Sequence, residues 1–186
     1  MLLDEEETRH LRSMRLDEGD AIILTDGRGC MRDARLGRVR GRQREALLLE
    51  RRPPPEEMAL ELAVAVGNRT RMLWLIEKAA EFGVPVISLV ETERSRSVSD
   101  AGRSEGFRAK AERRALAAMK QSGSARLTEI RAPVDLAKLL EDFSAVDTGT
   151  GIVLDRRGPR LFTRLESADD RLILLVGPEG GLTEAE

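Results

Sequence analysis

The chain has 186 residues, 41% hydrophobic and 34% charged, with a formal net charge of -2. That length holds one large or two small domains, and the balance is that of a globular chain with a heavily ionised surface. One cysteine (Cys30), one histidine (His10) and no tyrosine exclude an internal disulfide, argue against a zinc site or a Ser/His/Asp triad not built on His10, and argue against RNA binding on stacked aromatics.

No apolar run approaches the ~20 residues of a membrane span and the opening residues do not read as a signal peptide, so a cytoplasmic protein without a membrane or metal is the expectation. The net charge hides an asymmetry. Asp4 to Glu7 are acidic; Arg28, Arg32, Arg35, Arg38, Arg40, Arg42, Arg44, Arg51 and Arg52 meet few acids; a second basic block runs from Arg94 and Arg96 through Arg103, Arg108, Lys110, Arg113 and Arg114 to Lys120. This distribution permits nucleic-acid contact, with a solvated, salt-tolerant surface as the lesser alternative.

In chain order, His10 to Leu16 reads as a short helical turn with Leu11 and Met14 inward. Asp17 to Asp20 is a turn, Ala21 to Thr25 a strand, and Asp26-Gly27 a hairpin signal. Met31 to Val39 and Ala46 to Leu49 are further strands about a turn at Arg40-Gly41-Arg42. Short strands with tight turns predict a compact barrel. The stiff stretch from Arg52 to Glu57, with three consecutive prolines, marks a boundary between residues 1–55 and 56–186.

Beyond it, Leu60 to Val66 is a strand closed by Gly67-Asn68. Thr70 is a candidate cap for a helix burying Met72, Leu73, Ile76, Ala79 and Ala80, with Gly83 at its end. Val84 to Val90 is a strand. Ser104 is positioned to cap a long helix burying Phe107, Ala111, Ala115, Ala118 and Met119. Leu127 to Ile130 is a short strand, and Val134 to Phe143 a helix with Leu136, Leu139, Leu140 and Phe143 inward. Ile152 to Leu154 and Leu172 to Val176 read as buried strands. Strands alternating with helices predict a parallel α/β sheet with right-handed crossovers.

The last fifteen or so residues organise the chain. The unbroken apolar run Leu172 to Val176 suits a strand covered on both faces. Gly177-Pro178-Glu179-Gly180-Gly181-Leu182 is a glycine-rich turn, and Thr183 with Glu186 has the spacing of a capping box. Strand, turn and helix start make a ligand site at the carboxyl end of a sheet, although a turn without a ligand has the same signature. The chain stops one turn into that helix, so a continuation is expected.

Dinucleotide and P-loop fingerprints are absent: Gly27-Arg28-Gly29 sits in a hairpin and Gly149-Thr150-Gly151 precedes a strand. What remains is a constellation. Arg69, Arg71, Glu77, Lys78 and Glu81 surround the first helix of the α/β region, and Glu93-Arg94-Ser95 follow its second strand. Lys120-Gln121 end the long helix, and Asp155 to Gly158 and Gly177 to Gly181 follow the last two strands. Each charge taken singly is more often an ordinary surface residue than part of a site.

Val66 to Val84 (with Asn68-Arg69-Thr70-Arg71 and Glu77-Lys78-Ala79-Ala80-Glu81-Phe82-Gly83), Glu93-Arg94-Ser95, Met119-Lys120-Gln121-Ser122 and Gly177 to Leu182 together resemble the RsmE family of ribosomal RNA small-subunit methyltransferases, which act on N3 of a uridine. His10-Leu11, Arg15-Leu16 and Gly19-Asp20 resemble that family's opening. The resemblance implies a PUA-like barrel over residues 1–55, lacking its usual first strand, that helps to hold RNA. It implies a SPOUT-type parallel α/β domain over 56–186 with a carboxyl-terminal trefoil knot, incomplete within these residues. It further implies S-adenosylmethionine as cofactor, a homodimer, and 16S rRNA or the small ribosomal subunit as partner. On this chain Leu154, Gly177, Pro178, Glu179, Gly180, Gly181 and Leu182 would hold the cofactor, poorly if the knot stays open. Arg69, Arg71 and Arg94 would stabilise the uridine anion or grip phosphate, with Glu81 as a weaker, structural candidate. Arg12, Arg15, Arg28, Arg32, Lys120 and Gln121 would meet RNA. Lys120 to Ser124 departs from a cysteine-containing segment common in the family. Another SPOUT-type RNA methyltransferase and a non-catalytic RNA-binding module stay open as alternatives.

Overall fold

A computed structural model describes residues 1–53, 59–95, 105–145, 149–155, 158 and 171–186. The prolines at 54 and 55, the candidate cap Ser104, and Arg96, Arg103, Arg156 and Arg157 lie outside them. The chain divides into two units, Met1–Glu56 and Glu57–Glu186.

The first unit holds β1 (Leu2–Leu3), α1 (Glu5–Ser13), β2 (Ala21–Thr25), β3 (Met31–Arg40) and β4 (Gln43–Arg52). The strands form an antiparallel half-barrel sheet in the order β1-β4-β3-β2. Arg40 pairs with Gln43, leaving a two-residue loop whose Gly41 has φ +63°. Leu3, Leu11, Ala34, Leu36 and Ala46 form its core. Helix α1 starts earlier than His10: Asp4 caps it by accepting from the Glu7 amide, and Glu5, Glu6 and Glu7 sit in the first turn, where the helix dipole favours acids. Met14, expected inward, is exposed because it is the C-cap, past the last buried turn.

The second unit holds β5 (Leu60–Ala65), α2 (Arg69–Glu81), β6 (Val86–Glu91), α3 (Glu105–Ser122), β7 (Glu129–Asp135), α4 (Leu136–Ser144), β8 (Thr150–Leu154) and β9 (Leu172–Val176). Its sheet is parallel throughout, in the order β7-β6-β5-β9-β8. The chain adds strands in one direction from β5 to β7, then reverses. With one handedness of crossover, the reversal moves the helix to the opposite face. Accordingly α2 and α3 pack with Val64, Ile87, Leu89 and Ile130, whereas Leu136 and Leu139 of α4 pack with Ala63, Val90, Ile173 and Leu175. All five residues expected to be buried on α2, and all five on α3, are buried.

Four local expectations need correction. Asn68, not Thr70, caps α2; its Oδ1 accepts from the Thr70 and Arg71 amides. Strand β7 runs past Pro133 to Asp135, which then caps α4; β7 is an edge strand, where a missing N–H costs no ladder bond. Strand β8 is not buried: it too is an edge, with Val153 51% and Leu154 44% exposed. On α4, Leu140 is 40% exposed, whereas Phe143 packs on the core under the Arg171 guanidinium, 5.0 Å from its ring centre.

Candidate functional site

The reversal of strand order falls between β5 and β9. Segments leaving the carboxyl ends of such neighbours diverge and open a crevice. A cleft of about 450 Å³ lies there, with an apolar wall of Val64, Ala65, Val66, Met72 and Leu75. Gly67, Asn68 and Arg71 form one rim, Gly177 to Gly180 another, and Arg94 reaches in from the loop after β6.

The turn after β9 is held from several sides. The Gly181 amide donates to Pro178 O at 2.8 Å, closing a four-residue turn with Gly181 at φ +73°. A Cβ built on Gly177 would meet Leu182 Cγ at 3.3 Å, so the turn is drawn tightly on itself. Arg94 Nη1 donates to the carbonyls of Gly180, Leu182 (3.2 Å) and Gly181 (3.4 Å). Arg71 forms an ion pair with Glu179. The Thr183 amide donates to Glu186, one half of the expected capping box, and the Glu93 amide donates to the same carboxylate. Burial pushes the Glu186 carboxyl up, but hydrogen bonds from Thr183 and Glu93 and the Arg94 charge outweigh it and hold the group below its ordinary value. No helix forms over 183–186.

Among the arginines singled out from sequence, Arg71 and Arg94 line the cleft. Arg69 stands over the Phe107 ring, 5.6 Å from its centre. Glu81 accepts from Lys78 Nζ at 2.7 and 2.9 Å, and that bond raises the lysine above its ordinary value. Glu77 pairs with Arg114. Leu154 ends β8, in register with Val176, outside the cleft lining. Lys120 and Gln121 lie in the last turn of α3.

In the first unit, Arg28 is exposed in the β2–β3 loop and Arg32 is half-buried on β3. Arg15 follows α1 with φ +59°. Arg12 lines a hollow of about 240 Å³ together with Glu5, Thr8, Arg9, Gly41 and Arg42. Among the described residues, no three of His, Cys, Asp and Glu lie together as a metal site would need, and no helix is long and apolar enough to cross a membrane. The reading from sequence missed Asn68 and the β5 wall of the cleft. The strand–glycine–cap pattern at Ala65 to Asn68 repeats the one at Val176 to Thr183 and could have pointed there.

Residues 54–186 match the family model of an RNA methyltransferase domain, and residues 3–39 that of an RNA methyltransferase PUA domain. The chain is 25% identical over 190 residues to the ribosomal RNA small subunit methyltransferase E of Bacillus subtilis (strain 168), covering 97% of this chain and 74% of that protein. The crystal structure of a ribosomal RNA small subunit methyltransferase E from Neisseria gonorrhoeae bound to S-adenosyl methionine superposes with a TM-score of 0.82 at 25% identity, covering 100% of this chain and 76% of that one. A probable rRNA-methyltransferase from Porphyromonas gingivalis superposes with a TM-score of 0.78 at 25% identity, covering 99% and 77%. With most of its length matched by that domain, the chain belongs to the RNA methyltransferase family.

Proposed function

We propose that this RNA methyltransferase uses S-adenosylmethionine to methylate N3 of a uridine in 16S ribosomal RNA. The observation that carries the reading is the cleft between β5 and β9. Its volume, its apolar wall and a turn drawn close at Gly177 fit an adenosine with a short aliphatic stem, recognised through backbone groups. Such a donor supplies an electrophilic methyl carbon on a sulfonium. The task of the chain is then to hold that carbon in line with N3, which is proximity and orientation.

The uridine must give up its N3 proton, and a cation beside it stabilises the resulting anion. Arg71 is our choice for this: its guanidinium is at the rim of the cleft, balanced by Glu179. Arg69, exposed at the start of α2, we assign to an RNA phosphate. Gly177 to Leu182 are assigned to the cofactor, and Leu154, at the end of β8 beside Val176 and outside the cleft lining, is kept with them on the family resemblance alone; Arg12, Arg15, Arg28, Arg32, Lys120 and Gln121 are assigned to RNA. In this reading residues 1–55 hold RNA and residues 56–186 transfer the methyl group. The contacts of Glu93 and Arg94 with the 180–186 segment support a knotted carboxyl-terminal region. Exposed Trp74 and Phe82, on and just past α2, support pairing of two copies, and a ribosomal substrate supports a cytoplasmic location.

The test is transfer of labelled methyl from S-adenosylmethionine to small ribosomal subunits, followed by location of the label. Label at N3 of one uridine is expected. Label on a base carbon or a ribose would place the enzyme in another branch, and no transfer by a protein that binds the cofactor would leave only RNA binding.

A further inference from the structure

We propose that Arg94, at the edge of the cleft, is a positioning residue that holds the cofactor-binding turn in its receptive shape, rather than a group that touches the uridine. The inference rests on the reading of the β5–β9 cleft as the S-adenosylmethionine site.

Three consecutive carbonyls, those of Gly180, Gly181 and Leu182, converge on one nitrogen of Arg94. Three oxygens turned the same way make a small concentration of negative charge, and a guanidinium is the side chain that meets it with fixed, planar donors. The aliphatic stem takes part as well. A Cβ on Gly180 would lie 3.4 Å from Arg94 Cδ and 3.9 Å from its Cβ, and a Cβ on Gly181 would lie 3.6 Å from Nη1. These are ordinary van der Waals distances, so the arginine stem lies against the turn, and it is the φ of +73° that calls for glycine at Gly181. The loop that carries Arg94 is itself fixed. Ser95, buried, accepts from the Thr92 amide at 2.8 Å, and the Glu93 amide is held by Glu186. Arg94 thus connects a braced loop after β6 to a glycine turn after β9, the strands lying on either side of β5. A turn with two adjacent glycines has a large conformational freedom to lose on binding. A side chain that removes that freedom beforehand raises affinity without contributing to the chemical step.

The experiment measures S-adenosylmethionine binding by calorimetry, and RNA methylation at varied cofactor, for the whole protein and its Arg94→Ala and Arg94→Lys variants, with circular dichroism confirming that each is folded. Arg94→Ala is expected to raise the cofactor Kd and KM about tenfold, with the rate at saturating cofactor within about twofold of the original. Arg94→Lys, a point charge without the planar fork, is expected to recover part of the loss, and millimolar guanidinium to recover part of it in the alanine variant. A tenfold fall in the saturated rate with unchanged cofactor Kd would overturn the proposal by placing Arg94 on the substrate. Gly177→Val separates this failure from failure of the site: if it leaves cofactor binding intact, the cleft is not the site and the proposal falls with it. If it abolishes binding while Arg94→Ala does not weaken it, the site stands and the positioning role is wrong.

Discussion

Among the described residues, Arg15 is the one non-glycine with positive φ, at 59°. It follows the C-cap of α1: its amide donates to Arg12 O and the Leu16 amide to Leu11 O, the pairing in which glycine is the usual occupant. A side chain there is strained by about 1 kcal/mol. Arg15→Gly is expected to stabilise the chain by roughly 0.5–1 kcal/mol in urea unfolding, and to weaken RNA binding if the arginine holds RNA. A gain in stability with unchanged RNA affinity would remove Arg15 from the interface. Asp26 is the opposite case, a residue suited to its turn. Amides of Arg28 and Cys30 donate to its carboxylate and hold it below the ordinary 3.8. Because the folded value is the lower one, the carboxylate supports the β2–β3 hairpin above the unfolded value and ceases to do so as the pH falls through the depressed one. A carbon-detected titration of Asp26 is expected to give a midpoint under 3.8; a midpoint at or above it would refute the turn geometry.

At the scale of the element, the cap of α2 distinguishes two neighbouring side chains. Asn68→Ala is expected to cost about 1 kcal/mol and Thr70→Ala much less; equal losses would contradict the assignment. Across the amino ends of four strands, the buried Glu61 accepts from Ser88 and pairs with Arg131 and Arg171, each at 3.2 Å. Removing one partner of a buried pair is costly, but both arginines are partly solvated, so Glu61→Ala is expected to lose about 2 kcal/mol and Glu61→Gln less. No change for Glu61→Ala would show that the arginines are fully served by water. These elements also show what could be read in advance. The faces of α2 and α3 were legible because burial on a helix repeats every 3.6 residues. The edge position of β8 was not, since a short apolar run looks alike in the centre and at the rim of a sheet. The extension of β7 was hidden by Pro133, which ordinarily ends a strand. In the site, the glycine turn was legible locally. Its contact with Arg94, across 86 positions of sequence, was not, because strand order is decided by tertiary packing.

For the molecule as a whole, a net charge of -2 gives no overall attraction for RNA, so affinity must come from local clusters. The hollow bounded by Arg9, Arg12 and Arg42 is one such cluster, with Arg42 facing Glu5 at 3.5 Å. If it grips single-stranded RNA, log affinity should fall linearly with log salt, and Arg12→Ala with Arg42→Ala should flatten that slope by about 0.7 for each phosphate no longer neutralised. An unchanged slope would move the RNA-binding surface elsewhere. The strand order carries a further consequence, for biosynthesis. Strand β9 is the latest of the five in sequence, yet it lies between β5 and β8. While the ribosome is still making the chain, β5 pairs on one side only and β8 has no neighbour at all. Both wait for a segment that forms the floor of the sheet and one lip of the cleft in a single step. Competence to receive a ligand and closure of the sheet therefore arrive together, and a nascent chain stalled before Leu172 would display a six-residue, mostly apolar, unsatisfied β5 edge to chaperones and to other chains.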